Sequence, residues 1–357
     1  MKNTKNIIRN LLVFILVIFI TFYVVFKNAD IYQILDALGK VDLKFIAIGI
    51  ACMAMFIVCE AINIGRTLKT LGEKSTMLRN IKYSLIGFFF SSITPAASGG
   101  QPMQIYYMHK EGISVANSTL TFLINLSCVQ IVTLSTAFVS LAFNIEYMNP
   151  PMIVFFIIGV SLNASALLLL LISIFSRRMT RGIINLTIKI MRFFRVKNID
   201  EKKNKFEKEL AKYQASALYA RQNRKLIIRT LLTTYVQFFF YFSITYFVYR
   251  SFGFNEYTIF RLVSMQSVLY ATVSGIPSPG AVGVSEGGYL ALFGVVYTEK
   301  GMLDSAMLLN RGVNFYLYVI ISCIVVIINA MRYKRIDKYD IDDDDDDIDK
   351  MELSQAE

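Results

Sequence analysis

Four ionisable side chains lie inside otherwise apolar stretches of the sequence: Glu60, Arg261, Glu286 and Arg311. A charge at the centre of a membrane helix costs about 2.5–3.5 kcal/mol on insertion scales, so each of these residues is a functional candidate. Glu286 stands within a Pro- and Gly-rich break, and Arg311 begins an apolar run 25 residues later. A pair between them would neutralise both charges.

Two interpretations of that pair stay open. In the first, it is a headgroup site, where Arg311 attracts a lipid phosphate and Glu286 attracts an ammonium group. In the second, it is a structural ion pair that locks the break. Glu60 lies close before Arg66, which favours an interfacial position, and Arg261 is expected to extend its charge toward the membrane surface.

The sequence interrupts its apolar runs at two breaks, 91–102 and 274–288, which hold four of the six prolines and seven of the 19 glycines. Proline stops a helix, and glycine lets the backbone turn and lets other groups come close. Broken backbone at membrane depth is tolerated only where protein or a watery cavity covers it. One break in each half of the chain predicts a transport-type site near the bilayer midplane. The expected substrate-binding residues are Pro95, Ser98, Gly99, Gly100, Gln101, Pro102, Pro277, Pro279, Gly280, Gly283, Glu286, Gly287, Gly288 and Arg311.

The composition predicts an all-α polytopic membrane protein, because 55% of the 357 residues are hydrophobic and the mean hydropathy is +0.50. A span needs about 20 mostly apolar residues. About six runs meet this requirement, at 7–26, 43–64, 115–143, 152–176, 226–250 and 304–330. The first of them resembles a signal peptide but is long and lacks a cleavage site, so we interpret it as a retained span. The broken segments, 80–109 and 258–298, are expected to form two re-entrant helical hairpins.

Basic residues predict the orientation of these elements, since cytoplasmic loops are enriched in Lys and Arg. With the N-terminus in the cytoplasm, most Lys and Arg fall on the inner side, and both termini are cytoplasmic. The first hairpin then enters from the cytoplasm and the second from outside. Such opposed hairpins are typical of an inverted repeat, which remains a structural hypothesis because the halves show no strong sequence match.

Two segments differ sharply in charge. Residues 177–229 hold 16 Lys and Arg against four Asp and Glu, and are expected to lie on anionic inner-leaflet lipids as an amphipathic cytoplasmic loop or to act only as a topology determinant. Residues 336–357 hold 11 Asp and Glu against two Lys, which predicts a disordered acidic tail. The domain organisation is therefore a transmembrane domain, 1–335, followed by the tail.

Catalytic and metal-site signatures are missing from the sequence. The only histidine is His109, the four cysteines lie singly in apolar runs, and no phosphate-binding Gly-x-x-x-x-Gly-Lys motif occurs. We therefore expect no cofactor, no metal and no nucleic-acid partner, and the sequence favours a protein that performs no chemistry on its substrate.

The motifs resemble those of the lysylphosphatidylglycerol synthase/flippase transmembrane family, the membrane half of the multiple peptide resistance factor. The resemblance covers about 7–330 and rests on Pro277-Ser-Pro-Gly280 with Gly283, Glu286, Gly287 and Gly288, on Arg311, and on Thr94-Pro95 with Gly99-Gly100-Gln101-Pro102. It implies a lipid flippase, with aminoacylated phosphatidylglycerol as a candidate lipid and resistance to cationic peptides as a consequence. Full-length members also carry a soluble lysyltransferase domain, and this chain is expected to be a stand-alone member that lacks it.

The resulting prediction is a multi-pass protein of the bacterial cytoplasmic membrane that moves phospholipid between leaflets. The alternative is a lipid-modifying transferase of the phosphatidylglycerol lysyltransferase type, which would act only with a separate soluble partner. A membrane scaffold, in which the breaks serve only packing, is a third interpretation. Homo-oligomerisation remains open.

Overall fold

The computed structural model describes residues 38–148, 150–175, 222–297 and 301–332, together with Tyr32, Asp36, Leu218 and Tyr219. Every regular element within these residues is helical, which confirms the all-α fold. The α-helices are α1 (Leu43–Thr70), α2 (Met77–Ser92), α3 (Gly100–Lys110), α4 (Val115–Asn144), α5 (Pro150–Phe175), α6 (Arg224–Ser251), α7 (Ile259–Val273), α8 (Val284–Phe293) and α9 (Met302–Arg332).

Five of these helices, α1, α4, α5, α6 and α9, are long and apolar enough to cross a membrane. They correspond to five of the six predicted spans. The sixth predicted span (7–26), the retained N-terminal span, lies outside the described residues. So do most of the basic loop 177–229 and the acidic tail 336–357, and the predicted cytoplasmic termini lie there as well.

Local sequence signals set the helix ends. The side chain of Asp42 caps α1 by accepting a hydrogen bond from the backbone N–H of Lys44, 2.9 Å away. At the other end of α1, Gly72 adopts φ +81°, and the N–H of Glu73 bonds to the carbonyl oxygen of Leu68 at 2.9 Å. This left-handed glycine ending satisfies carbonyl groups that the helix leaves open. Side chains also cap α2, α4, α6 and α7, through Thr76, Ser114, Asn223 and Thr258.

The remaining four helices form two hairpins, α2/α3 and α7/α8. They contain 16, 11, 15 and 10 residues, and at 1.5 Å per residue each is about 15–24 Å long. The hydrocarbon core is about 30 Å thick, so none of them crosses it alone. The partners within each hairpin pack against each other. Near the open end of the first hairpin, Glu111 forms ion pairs with Lys82 and Arg79.

The two hairpins enter the bundle from opposite sides. The backbone N–H of Asp42 donates to the carbonyl oxygen of Ser251 at 2.8 Å, which joins the start of α1 to the end of α6. Because α2 follows the end of α1 and α7 follows the end of α6, the hairpins begin at opposite ends of this antiparallel pair. Their tips, the short 3₁₀ helices Pro95–Ala97 and Pro279–Ala281, contact each other inside the bundle. The fold therefore has the opposed hairpins that the charge distribution predicts.

Candidate functional site

A buried ion pair between Glu286 and Arg311 lies at the second break. Arg311 Nε is 2.8 Å from Glu286 Oε1. The Arg311 side chain is 7% exposed and the Glu286 side chain 3%. Glu286 Oε2 accepts a hydrogen bond from the backbone N–H of Gly283 at 2.7 Å. The Tyr316 hydroxyl donates to Oε1 at 3.3 Å. Protein groups therefore occupy both carboxylate oxygens.

Arg311 is held from several directions by the residues around it. Its Nη2 donates to the carbonyl oxygen of Gly280 at 3.2 Å. Its guanidinium carbon lies 4.2 Å from the centre of the Phe315 ring and 5.7 Å from that of Tyr316. A π-helical segment, Gly312–Tyr316, follows Arg311 within α9 and contains both rings. Wide turns of this kind are frequent at functional sites.

Glycine is required at two positions of the second break. Gly280 adopts φ +59°, and a Cβ there would lie 2.3 Å from Cζ of Phe315 and 3.2 Å from the carbonyl oxygen of Ser92 on the opposing hairpin. Gly283 adopts φ +87° and is the N-cap of α8. Glu286 follows three positions later, where an acidic side chain is favoured by the helix dipole and reaches back to the N-cap N–H.

This network has the properties of a structural ion pair rather than those of an open binding site. Removing one partner of a buried ion pair leaves an uncompensated charge and typically costs about 3–5 kcal/mol. The pair ties α8 to α9, and the contact between Arg311 and Gly280 extends the tie to the hairpin tip. In this conformation the geometry favours the structural interpretation of the pair.

The first break is held by a threonine. Thr94 Oγ1 donates to the carbonyl oxygen of Phe90 at 2.6 Å and accepts from the backbone N–H of Gly99 at 2.9 Å. A Cβ on Gly100 would lie 2.9 Å from the carbonyl oxygen of Gly87, so helices α2 and α3 approach closely at these glycines. At the start of α3 the N-cap N–H therefore bonds to a neutral hydroxyl, whereas at the start of α8 it bonds to the Glu286 carboxylate.

The two tips share parts of their backbone conformation, although the residues that follow them, Ser98 (ψ −17°) and Val282 (ψ 140°), differ. Thr94 (φ −121°, ψ 142°) and Ser278 (φ −117°, ψ 146°) precede 3₁₀ helices of equal length that begin with proline. Both helices end in an alanine with φ +53°, Ala97 and Ala281. Among the described residues these are the two non-glycine residues with positive φ, a rare conformation for alanine. The match supports the inverted-repeat hypothesis at the tips.

A buried glutamine connects the first hairpin to α1. Gln104 Nε2 donates to the carbonyl oxygen of Tyr83 at 3.1 Å and lies 3.4 Å from Oε1 of Glu60. Gly87 makes room for this side chain, because a Cβ there would lie 2.2 Å from Gln104 Nε2. Glu60 therefore faces the first hairpin.

Residues 7–322, which include both breaks, match the family model described as the lysylphosphatidylglycerol synthase TM region. The chain belongs to this family. A relative, the UPF0104 membrane protein PH1989 of Pyrococcus horikoshii, is 23% identical over 311 residues, covering 84% of this chain and 92% of that protein. The resemblance inferred from the motifs is confirmed. As a member of the lysylphosphatidylglycerol synthase TM-region family, the chain is a membrane protein linked to lipid handling.

The site residues predicted for this TM-region family member occupy three kinds of environment. Buried residues are Gly100, Glu286 and Arg311. Half-buried residues are Gly99, Gln101, Pro279, Gly280, Gly283 and Gly288. Exposed residues are Pro95, Ser98, Pro102, Pro277 and Gly287. A Cβ on Gly288 would lie 2.6 Å from Leu269 Cδ1, so this glycine serves helix packing, whereas a Cβ on Gly287 meets nothing within 4 Å.

Three residues of the family member contribute more than the motifs indicate. Gln104, rather than Gln101, is the buried glutamine of the first hairpin. The Tyr316 hydroxyl donates a hydrogen bond to Glu286. The Thr94 hydroxyl donates to the carbonyl oxygen of Phe90 and so stabilises the first break. The available signals were a second glutamine one turn after Gln101 and a tyrosine shortly after Arg311. Among the described residues, no cluster of three or more His, Cys, Asp or Glu side chains could hold a metal ion.

Proposed function

We propose that this protein moves phospholipid between the leaflets of the cytoplasmic membrane. The proposal is supported above all by two broken hairpins that enter an apolar bundle from opposite sides and touch at their tips. A lipid headgroup needs a polar route through the hydrocarbon, and broken backbone is a source of such polar groups. The acyl chains would stay in the surrounding lipid while the headgroup passes the hairpins.

The first hairpin offers the better entry point for a phosphate. The first turn of α3 contains no acidic side chain, and Ser98 beside it is exposed, while Gln101 is half-buried. Backbone N–H groups and the positive end of a helix dipole attract anions. The N-terminus of α8 is already occupied by Glu286.

In this proposal the Glu286–Arg311 pair acts as a gate on the second hairpin. An approaching phosphate would compete with Glu286 and with the carbonyl oxygen of Gly280 for the Arg311 guanidinium. Charge-assisted bonds to a phosphate are strong enough to compete with an existing ion pair. Release of Gly280 would free the tip and open the route to the other leaflet. The family description suggests aminoacylated phosphatidylglycerol as one lipid to test.

The test is a leaflet-translocation assay in vesicles that contain the purified full chain and a fluorescent phosphatidylglycerol. We expect the Glu286→Gln/Arg311→Gln double variant to translocate lipid far more slowly than the wild type, because the phosphate then finds no cation at the second hairpin even though the tip is released. Ile157→Ala is the matched control, because Ile157 is 58% exposed on α5. Equal rates for the double variant and the wild type would reject the gate.

Lipid extracts distinguish this function from the transferase alternative. A transporter leaves the cellular lipid inventory unchanged and alters which lipids are exposed in the outer leaflet. A transferase that acts with a soluble partner would add a modified lipid species, and that species would disappear when the gene is deleted.

A further inference from the structure

Glu60 is an acidic side chain inside the bundle that the gate does not use. It lies in α1, ten residues before Thr70, which is about 15 Å along the helix axis. The side chain is half-buried, and its carboxylate has one hydrogen-bond partner among the described residues, Gln104 Nε2 at 3.4 Å. No Lys or Arg of the described chain lies within ion-pair distance of it.

The cations nearest in the sequence or fold are all engaged elsewhere. Arg66, on α1 itself, donates at 2.9 Å to Asn63, to Thr233 and to the carbonyl oxygen of residue 229. On α2, Lys82 pairs with Glu111, and on α9, Arg311 pairs with Glu286. Helix α4 carries no ionisable residue other than Cys128.

An ionised carboxylate surrounded by apolar helices and lacking a cation is costly, and such groups usually become neutral by taking up a proton. The weak amide contact with Gln104 does not replace a cation. We propose that Glu60 is a proton-binding site within the membrane bundle, protonated in this conformation.

Two tyrosines extend the environment of Glu60 toward the second hairpin. The ring of Phe56, one turn before Glu60 on α1, has its centre 5.1 Å from that of Tyr241 on α6, which packs in turn against Tyr270 of α7. The two tyrosine rings have centroids 5.7 Å apart. These aromatic contacts connect α1, beside Glu60, to α7 of the second hairpin.

Glu60 is therefore connected to both hairpins. Gln104 connects it to the first hairpin, and the aromatic row leads to α7 of the second. Loss of the proton would place a negative charge beside the first hairpin, which strengthens the bond to Gln104. This consequence rests on the proposed function, since it predicts that lipid translocation depends on pH through Glu60.

Proton binding can be measured without transport. Infrared difference spectra of the full chain in lipid nanodiscs, recorded across a pH titration, report the carbonyl stretch of protonated carboxyl groups. We expect a band that is lost in Glu60→Gln and retained in Glu256→Gln, a control at an exposed glutamate outside the long helices. An unchanged band in Glu60→Gln, or no protonated band in the wild type at any pH, would overturn the proposal.

Glu60→Gln preserves the shape of the side chain and the neutral charge of the protonated form, so it is expected to fold with an unchanged unfolding temperature. In the vesicle assay its translocation rate should lose the pH dependence of the wild type. If the wild type moves no lipid, the transport proposal fails while the infrared result still stands. If Glu60→Gln instead abolishes transport of amino-headgroup lipids alone at every pH, Glu60 binds an ammonium group and the proton proposal is wrong.

Discussion

Arg311 Nε lies 2.8 Å from Glu286 Oε1, and this pair joins the first turn of α8 to α9, directly before the π-helical segment of α9. Both side chains are buried, so neither charge can be satisfied by water if the other is removed. The same residues therefore serve stability and gating, and mutations at this pair need a stability measurement beside any transport assay.

The ion pair should show strong non-additivity. Glu286→Gln alone leaves Arg311 buried without its counter-charge and should cost about 3–5 kcal/mol of unfolding free energy. Adding Arg311→Gln removes the orphaned charge, so the double variant should be less destabilised than the sum of the singles. Unfolding in mixed detergent micelles gives the unfolding free energies of the wild type, the two single variants and the double variant. Additive single effects would mean that the two charges act independently.

Alanine substitutions at two neighbouring glycines should differ in sign. Gly283→Ala forces an L side chain into φ +87° and should destabilise the chain by at least about 1 kcal/mol. Gly287→Ala meets no atom within 4 Å and lies inside α8, where alanine is favoured over glycine by about 1 kcal/mol. The measurement is the unfolding midpoint of each variant, compared with that of the wild type. Equal losses at the two sites would contradict the assigned backbone at the break.

Thr94 should be needed for its hydroxyl rather than its shape. Thr94→Val keeps the volume but leaves the N–H of Gly99 without its partner, at a cost of about 1–3 kcal/mol. Thr94→Ser retains the hydroxyl and should stay close to the wild type. Thr119→Val is the matched control, because Thr119 Oγ1 donates only to the carbonyl oxygen of Val115 within its own helix. A similar loss in both valine variants would show that Thr94 has no special role.

Much of the fold can be predicted from the sequence because long apolar runs and Pro/Gly clusters are local signals. The run 43–64 falls within α1, and the break before Glu286 is marked by Pro277, Pro279 and three glycines. The pairing of Glu286 with Arg311 follows from charge neutralisation alone. These features need no knowledge of how the helices are rotated about their axes.

The sequence does not determine how each helix is rotated about its axis, and this rotation decides which side chains meet in the bundle. Gln101 and Gln104 are equally plausible on α3, and packing against Gly87 selects Gln104 as the buried one. The π-helical turn that brings Tyr316 to Glu286 has no sequence signature of its own. Likewise, the position of Glu60 against the first hairpin depends on the contact between α1 and α2, which arises only in the folded bundle.

The opposed entry of the hairpins predicts a difference in sidedness between two engineered cysteines. Lys110→Cys lies at the open end of the first hairpin and should react with a membrane-impermeant thiol reagent from the cytoplasmic side, where basic loops are expected. Glu256→Cys lies just before α7 and should react from the other side. Both positions are exposed. Cys323 is replaced by alanine in both chains, and the buried Cys52, Cys59 and Cys128 stay in place.

Intact right-side-out and inside-out vesicles that contain each variant provide the measurement, with detergent-opened vesicles as the reference for full labelling. The chain with Cys323 replaced and no added cysteine gives the background. Labelling of both positions from one side would contradict the antiparallel arrangement that the bond between Asp42 N and Ser251 O requires. In that case the hairpins would share one entrance, and a route linking the two leaflets through their tips could not form.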